Sequence, residues 1–312
     1  VGNIGNSFAD AALKTTDASV IAAEISSFQL ETTIDFHPQV SAVLNLTPDH
    51  LDRHGSFENY ALCKMDIAKK QTADEYCVIN YEDEYLRELA KSLPCKAAAF
   101  SSERILDEGA YLEGDNIVLK YGEPVVICRT DELNLLGKHN FENVMAAVLV
   151  AFHMGVSIDI ISKVVKEFKA VEHRIEYVCT KGGVKYYNDS KGTNTDASSK
   201  AIDAMPTPCI LIAGGYDKGA DFTDWINGFG DKVAEMILIG QTAGKIRETA
   251  EKCGYSHVTD AADLKEAVDM AAKMAAPGMC VLLSPACASW GQFSNYEQRG
   301  RMFKEYAESI QD

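Results

Sequence analysis

Apolar residues along this chain form short runs that alternate with stretches of helical spacing, the pattern of strands separated by helices. In the first half, Val20–Glu24 and Val40–Leu46 read as short apolar strands and Phe57–Lys70 as a helix. Tyr76–Asn80, Tyr85–Leu93 and Ala97–Phe100 continue a β-α-β rhythm. From Ala110 to Arg129 the runs alternate and are broken by Gly114-Asp115-Asn116 and Tyr121-Gly122-Glu123-Pro124, which predicts hairpins beside the main sheet. Helical spacing over His139–Met154 and Ile158–Phe168 follows, and the first domain is expected to end near residue 170.

The second half repeats the alternation more regularly. Strands are expected at Ile175–Thr180, Val184–Asn188, Cys209–Ala213, Met236–Ile239, His257-Val258 and Met279–Leu283. Helices are expected from Thr195, near Trp225, over Ala243–Cys253 and Leu264–Met274, and in a final segment ending near Ile310. Such alternation specifies a mainly parallel sheet covered on both faces. The organisation expected is therefore α/β throughout, with domains at 1–170 and 171–312.

Composition narrows the ligands. At 312 residues the chain is long enough for about two domains, and no apolar run approaches the roughly 20 residues of a membrane span. A formal charge of −16 argues against nonspecific binding to nucleic acid or anionic membrane, so any anionic ligand must be held locally. The nine cysteines are scattered without a CxxC pair, as expected of buried thiols in a reducing compartment. Residues 1–15 show no secretory pattern. The opening Val1-Gly2-Asn3-Ile4-Gly5-Asn6 has no preceding strand to make it a turn, which raises the expectation of a missing N-terminal region.

Polar clusters fall where strands end. Asn188-Asp189-Ser190-Lys191-Gly192-Thr193-Asn194 puts a carboxylate, a cation, hydroxyls and free helix N–H groups in one turn, suited to an anion or a ribose, although a capped turn with a surface lysine would read the same. Gly214-Gly215-Tyr216-Asp217-Lys218 permits close approach of a ligand and offers a point charge for a carboxylate, as would a plain glycine turn with a lysine. The most specific stretch is Ser284-Pro285-Ala286-Cys287-Ala288-Ser289-Trp290-Gly291-Gln292-Phe293, where an apolar strand empties into small and hydroxylated residues.

In the first half, Glu24 ends a strand otherwise too apolar for it, which is costly unless the carboxylate is paired or binds metal. Asn45-Leu46-Thr47-Pro48-Asp49-His50 repeats the device at the next strand end. Together these groups suit a hard divalent ion near phosphate. Taken singly, His50 reads as a helix-start or packing residue and Lys64 as a solvated charge. No GxxxxGK[ST] loop occurs; Gly240-Gln241-Thr242-Ala243-Gly244-Lys245-Ile246 imitates one but has Ile246 where the hydroxyl belongs, and reads as an ordinary βα turn.

The order of motifs resembles the Mur ligase family across essentially the whole chain. The resemblance rests on Gly2-Asn3-Ile4-Gly5, Glu24 to Glu31, Asn45 to Arg53, Lys64, Gly137-Lys138-His139-Asn140-Phe141-Glu142-Asn143, Glu172-His173-Arg174, Asn188 to Lys191, Gly214-Gly215 with Lys218, and Ser284 to Phe293. It is greatest to the D-glutamate-adding branch. It implies a truncated P-loop-type central domain followed by a Rossmann-like domain. It also implies a cytoplasmic, monomeric enzyme of peptidoglycan precursor synthesis that uses ATP and two Mg2+ ions and has no nucleic-acid or membrane partner. The substrates implied are UDP-N-acetylmuramoyl-L-alanine and D-glutamate, joined through an acyl phosphate.

Carried over by position, Glu24 and His50 would hold magnesium, and a carbamylated Lys64 the second ion. Asn3, Ser26 and Gln29 would meet the nucleotide-sugar substrate. Asn140 and Asn143 would face the adenine, and Arg174 and Asp189 the ATP phosphate and ribose. Lys191 would serve the reacting groups, and Thr193, Lys218 and Ser289 would receive D-glutamate with Tyr296 packing behind. Two departures stand out. Trp290-Gly291 and Tyr296 differ from many relatives, and the family's Gly-Lys-Thr/Ser phosphate loop, expected ahead of Gly2, is not among these residues. Residues 1–312 alone are therefore expected not to turn over ATP. The alternatives are a sister ligase such as a folylpolyglutamate synthase, and a non-catalytic binding remnant.

Overall fold

The computed structural model describes residues 1–311, which form two compact units. The first comprises Val1–Glu132 and Phe141–Val165; the second comprises Leu133–Asn140 and Lys166–Asp312. The chain thus changes unit three times, where the apolar pattern shows a single passage near residue 170.

In the first unit, β1 (Val40–Val43), β2 (Tyr76–Asn80) and β3 (Lys96–Ser101) run parallel because a helical crossover separates each from the next. Cys77, Val78 and Ile79 of β2 are all buried, as a strand covered on both faces requires. β4 (Gly109–Glu113) adds parallel to β3, and β5 (Asn116–Tyr121) and β6 (Glu123–Arg129) follow antiparallel. The predicted hairpins therefore extend the main sheet in the order β1-β2-β3-β4-β5-β6. Gly109 allows the entry into β4: at φ +129, a Cβ there would lie 2.1 Å from the Ala99 carbonyl. The helix Lys138–His153 stacks His153 on Tyr76 of β2 at 3.6 Å between ring centroids.

Two expectations for this unit are corrected. Val20–Glu24 is not a strand of the sheet; it makes one isolated bridge, Glu24 to Gly2. The Glu24 amide donates to the Val1 carbonyl and the Glu24 carbonyl accepts from Asn3, so residues 1–3 are its sole main-chain partner among the described residues. Val40–Leu46 contracts to Val40–Val43, because the Leu46 amide leaves the sheet to donate to the Asp83 carboxylate at 2.8 Å.

The second unit carries β7 (Glu176–Lys181), β8 (Val184–Asn188), β9 (Cys209–Gly214), β10 (Val233–Ile239), β11 (Val258–Asp260) and β12 (Cys280–Leu283), ordered β11-β10-β9-β12-β8-β7. All pairs are parallel except β7-β8, joined by Gly182-Gly183, both at positive φ as a tight two-residue turn demands. Side chains of β9 alternate between two cores: Leu211 and Ala213 pack with Phe222 and Trp225, and Ile210 and Ile212 with Val281 and Phe303. That alternation of buried residues on both faces is why β9 and β12 read as unbroken apolar runs.

β12, last in sequence, lies between β9 and β8. The loops leaving β8, β9 and β12 are consequently neighbours at the carboxyl end of the sheet, where strand order reverses and open α/β sheets bind ligands.

Candidate functional site

The three loops at that switch point carry Asp189, Lys191, Thr193, Lys218 and Ser289, with Tyr296 at the start of the helix that follows the last. Thr193, Lys218, Ser289 and Tyr296 line one pocket of about 400 Å3, together with Ala288, Trp290, Asn295 and Glu297. Hydrogen bonds tie the loops together: the Tyr216 amide donates to the Ala288 carbonyl at 2.8 Å, and the Gly215 amide to the Thr242 hydroxyl at 3.0 Å. Thr242, in the turn that imitates a phosphate loop, thus holds the β9 loop in place. Lys218 Nζ lies 5.6 Å from the centre of the Trp290 ring and Lys191 Nζ 5.9 Å from that of Tyr296, so both ammonium groups rest on aromatic faces.

Asp189 is almost fully buried. Its Oδ2 accepts from the Ser284 hydroxyl at 2.7 Å and its Oδ1 from the Ile175 amide at 3.3 Å. Burial outweighs these donors and pushes the carboxyl up to about 7. Gly192 has to be glycine here, since a Cβ would sit 2.3 Å from Asp189 Oδ2. Arg174 is exposed in a turn whose flanking residues, His173 and Ile175, both have positive φ. The turn is held from inside: Asn188 Nδ2 donates to His173 Nδ1 at 2.9 Å, and the His173 carbonyl accepts from the Lys191 amide at 3.0 Å.

Arg299, which sequence reasoning missed, is the anchor of these loops. Fully buried, it donates from Nε to the Ser190 hydroxyl (3.0 Å), from Nη2 to the Ser190 carbonyl (2.8 Å) and from Nη1 to the Cys287 carbonyl (3.1 Å). Burial lowers its guanidinium to about 10. An arginine on a helix reads as a solvated charge; its place just after the stretch from Ser284 to Phe293 is the one hint the sequence offers.

In the first unit, Glu24 and Lys64 line a common cleft. Glu24 is exposed, with Asn3 Nδ2 at 3.5 Å, and Lys64 Nζ lies 5.7 Å from the centre of the Tyr60 ring. His50 is exposed, left-handed at φ 51, and packed on Phe28 at 4.8 Å between centroids. Ser26 and Gln29 engage each other in a capping box: the Ser26 amide and hydroxyl donate to Gln29 Oε1, and the Gln29 amide to Ser26 Oγ. A neighbouring group also went unread. Arg53 donates to Glu31 through Nε and Nη2, holding that carboxyl below its ordinary range, and His54 Nδ1 lies 3.3 Å from Glu31. Asn140 and Asn143 lie one turn apart on Lys138–His153, and Asn140 Nδ2 donates to the Leu136 carbonyl.

A mainly parallel sheet with a pocket lined by hydroxyls, Lys218 and Glu297 at its switch point is the architecture of an α/β protein with a ligand site at the carboxyl end of its strands. The Mur ligase middle domain matches residues 3–151, and the Mur ligase glutamate ligase domain matches residues 173–287. The chain belongs to the Mur ligase family, whose members are ATP-dependent ligases that form amide bonds.

Among curated relatives, the UDP-N-acetylmuramoylalanine–D-glutamate ligase of Lachnospira eligens is 52% identical over 311 residues, covering 99% of this chain and 69% of that protein. The protein of the same name from Lachnoclostridium phytofermentans is 50% identical, covering 100% and 69%. The fold is shared with the UDP-N-acetylmuramate-alanine ligase MurC of Thermotoga maritima (TM-score 0.65, 16% identity, 92% of this chain and 63% of that one). It is also shared with the MurF ligase of the same organism, solved in complex with ADP (TM-score 0.58, 18% identity, 87% and 62%). The chain thus spans a little over two thirds of these curated relatives and under two thirds of these solved structures. Among the described residues, no helix is long and apolar enough to cross a membrane.

Proposed function

We propose that these two units belong to a ligase that joins D-glutamate to UDP-N-acetylmuramoyl-L-alanine, with ATP activating the substrate carboxylate as an acyl phosphate. The observation that carries this reading is the pocket that brings together Thr193, Lys218, Ser289 and Tyr296. It offers one ammonium and three hydroxyls to an amino acid with two carboxylates, and Lys191 rests on Tyr296.

The chemistry sets anion against anion, so cations must neutralise both. Glu24 has a solvent-facing carboxylate with one long amide contact, which suits a hard divalent ion, and Lys64 on the same cleft would suit one only once carbamylation turns its ammonium into an oxygen ligand. Glu24, His50 and a carbamylated Lys64 would hold two Mg2+ ions, which would supply charge neutralisation when bound. Asn140, Asn143, Arg174 and Asp189 would hold the nucleotide. Asn3, Ser26 and Gln29 would meet the sugar nucleotide, the last two on release of their mutual cap. A cytoplasmic monomer without nucleic-acid or membrane partners is the corresponding cellular form.

Residues 1–312 contain no Gly-Lys-Thr/Ser loop, so expressed by themselves they are expected to bind without turnover. The test is phosphate release from ATP by these residues joined to such a loop, with UDP-N-acetylmuramoyl-L-alanine and a panel of amino acids. Release selective for D-glutamate is expected; release selective for L-glutamate or a diamino acid overturns the assignment.

A further inference from the structure

Away from the cleft that Glu24 and Lys64 line, the first unit brings three different donor atoms together. Glu31 follows the helix Ser27–Leu30, His54 ends the helix Leu51–His54, and Cys63 lies in the helix Phe57–Met65. A carboxylate oxygen, a ring nitrogen and the thiol sulfur of this trio all lie within 4.8 Å of one another. One contact, His54 Nδ1 to Glu31 Oε1 at 3.3 Å, completes no hydrogen bond. The other ring nitrogen, Nε2, lies 3.1 Å from the Ser27 hydroxyl, which can accept its proton and leave the Nδ1 lone pair beside the carboxylate. A lone pair and an anionic oxygen repel each other at that distance, and a cation between them makes the arrangement favourable. The His54 side chain is 3% exposed and that of Glu31 27%, so the trio opens to solvent through the carboxylate.

We propose that Glu31, His54 and Cys63 form a Zn2+ site, with water as the fourth ligand. Carboxylate, imidazole and thiolate together suit zinc, whereas magnesium takes oxygen ligands. Zinc bonds of about 2.0–2.1 Å to nitrogen and oxygen and about 2.3 Å to sulfur set neighbouring tetrahedral ligands roughly 3.3–3.6 Å apart. The pair His54 and Glu31 already has this spacing. Cys63 reaches it by a shift of about 1 Å, giving up the bond its thiol donates to the Ser27 carbonyl, and the thiol proton passes to solvent as sulfur binds the ion. Arg53 stays in place: its bonds from Nη2 at 2.6 Å and Nε at 3.2 Å go to Oε2, and Nε reaches Oε1 only at 3.4 Å, so Oε1 is left for the ion while the guanidinium orients the carboxylate from behind. Phe28 packs against His50 at 4.8 Å and His54 at 5.8 Å between ring centroids, and none of the three ligands lines the cleft of Glu24 and Lys64. A comparable trio in the second unit, Glu172, His173 and Glu176, is already filled by Lys304 Nζ, 2.8 and 2.9 Å from its carboxylates. Bound zinc would tie together three helices, one of which begins directly after His50. The inference goes beyond the ligase reading and is independent of which amino acid the ligase adds.

The test titrates the metal-free protein, kept reduced by a phosphine and in excess Mg2+, with Co2+ as a spectroscopic substitute for Zn2+. One equivalent is expected to bind with a thiolate-to-cobalt charge-transfer band in the near ultraviolet, and one equivalent of Zn2+ to abolish that band. Cys63→Ser, which leaves the other cysteines in place, is expected to lose the band. His54→Gln is expected to weaken Zn2+ binding about tenfold or more. Should the buried His54→Gln variant unfold, Glu31→Gln, a change nearer the surface, is expected to weaken binding likewise. A band that never forms, a band that survives Cys63→Ser, or an affinity for Zn2+ unchanged in the folded His54 or Glu31 variant overturns the proposal.

Discussion

At Asp189, burial and hydrogen bonding pull in opposite directions. Ser284 and the Ile175 amide favour the ionised carboxyl, yet loss of water wins and holds its pKa near 7 against an ordinary 3.8. Between those two values the folded protein keeps a proton that the unfolded chain has released, so stability falls as pH rises from about 4 to about 7 and levels off above. The slope from this one group is at most about 1.4 kcal/mol per pH unit. Asp189→Asn keeps an acceptor for the Ile175 amide, turns an N–H donor toward the Ser284 hydroxyl, which can accept instead, and is expected to flatten that part of the curve. Urea unfolding of both proteins from pH 4 to 8 checks it, and a difference between them that does not change with pH would refute the assignment. The aspartate itself was legible as a strand-end carboxylate. Its protonation was not, because only the closure of Ile175, Gly192 and Ser284 around it removes the water.

At the scale of elements, the helix Tyr296–Ser309 matters through its first turn. Asn295 caps it by accepting from the Gln298 amide, and Arg299 then reaches inward to the loops after β8 and β12. Arg299→Met is expected to leave the Ser190 and Cys287 carbonyls without their donor, at a cost of about 3 kcal/mol. Urea titration measures that cost. D-glutamate binding should weaken at the same time, since Ser289 and Thr193 lie on the loops released. Helices and strands of the second unit were readable from period, because both faces of its sheet are covered and β9 and β12 are plain apolar runs. In the first unit the period misled at Val20–Glu24, where an apolar stretch bonds to residues 1–3 on one side only.

For the whole molecule, the division between units has a consequence for truncation. Leu133 and Leu136 belong to the second unit although they precede the helices of the first. Leu136 packs on the second unit's core, Asn134 Nδ2 donates to the Lys166 and Phe168 carbonyls, and Gly137 lies so close to Ala204 that a Cβ there would approach its side chain to 2.7 Å. A fragment of residues 171–312 has the size of a domain and is expected to fold. Without residues 133–140 it loses the cover of Leu136, so it should be less stable than a fragment to which that segment is supplied as a peptide, by about 1–2 kcal/mol. Thermal melts with and without the peptide measure the difference.

What the sequence by itself determined is local and periodic: the α/β class, most element positions, and the polar clusters at strand ends, because each follows from the spacing of apolar residues and from turn chemistry within a few positions. The family, too, was legible from motif order. What only the tertiary structure decided depends on neighbours distant in sequence. Insertion of β12 between β8 and β9 makes one pocket from residues 193, 218, 289 and 296. Burial turned Arg299 from a surface charge into an anchor. Water exclusion and strand order are collective properties of the folded chain, and no window of residues contains them.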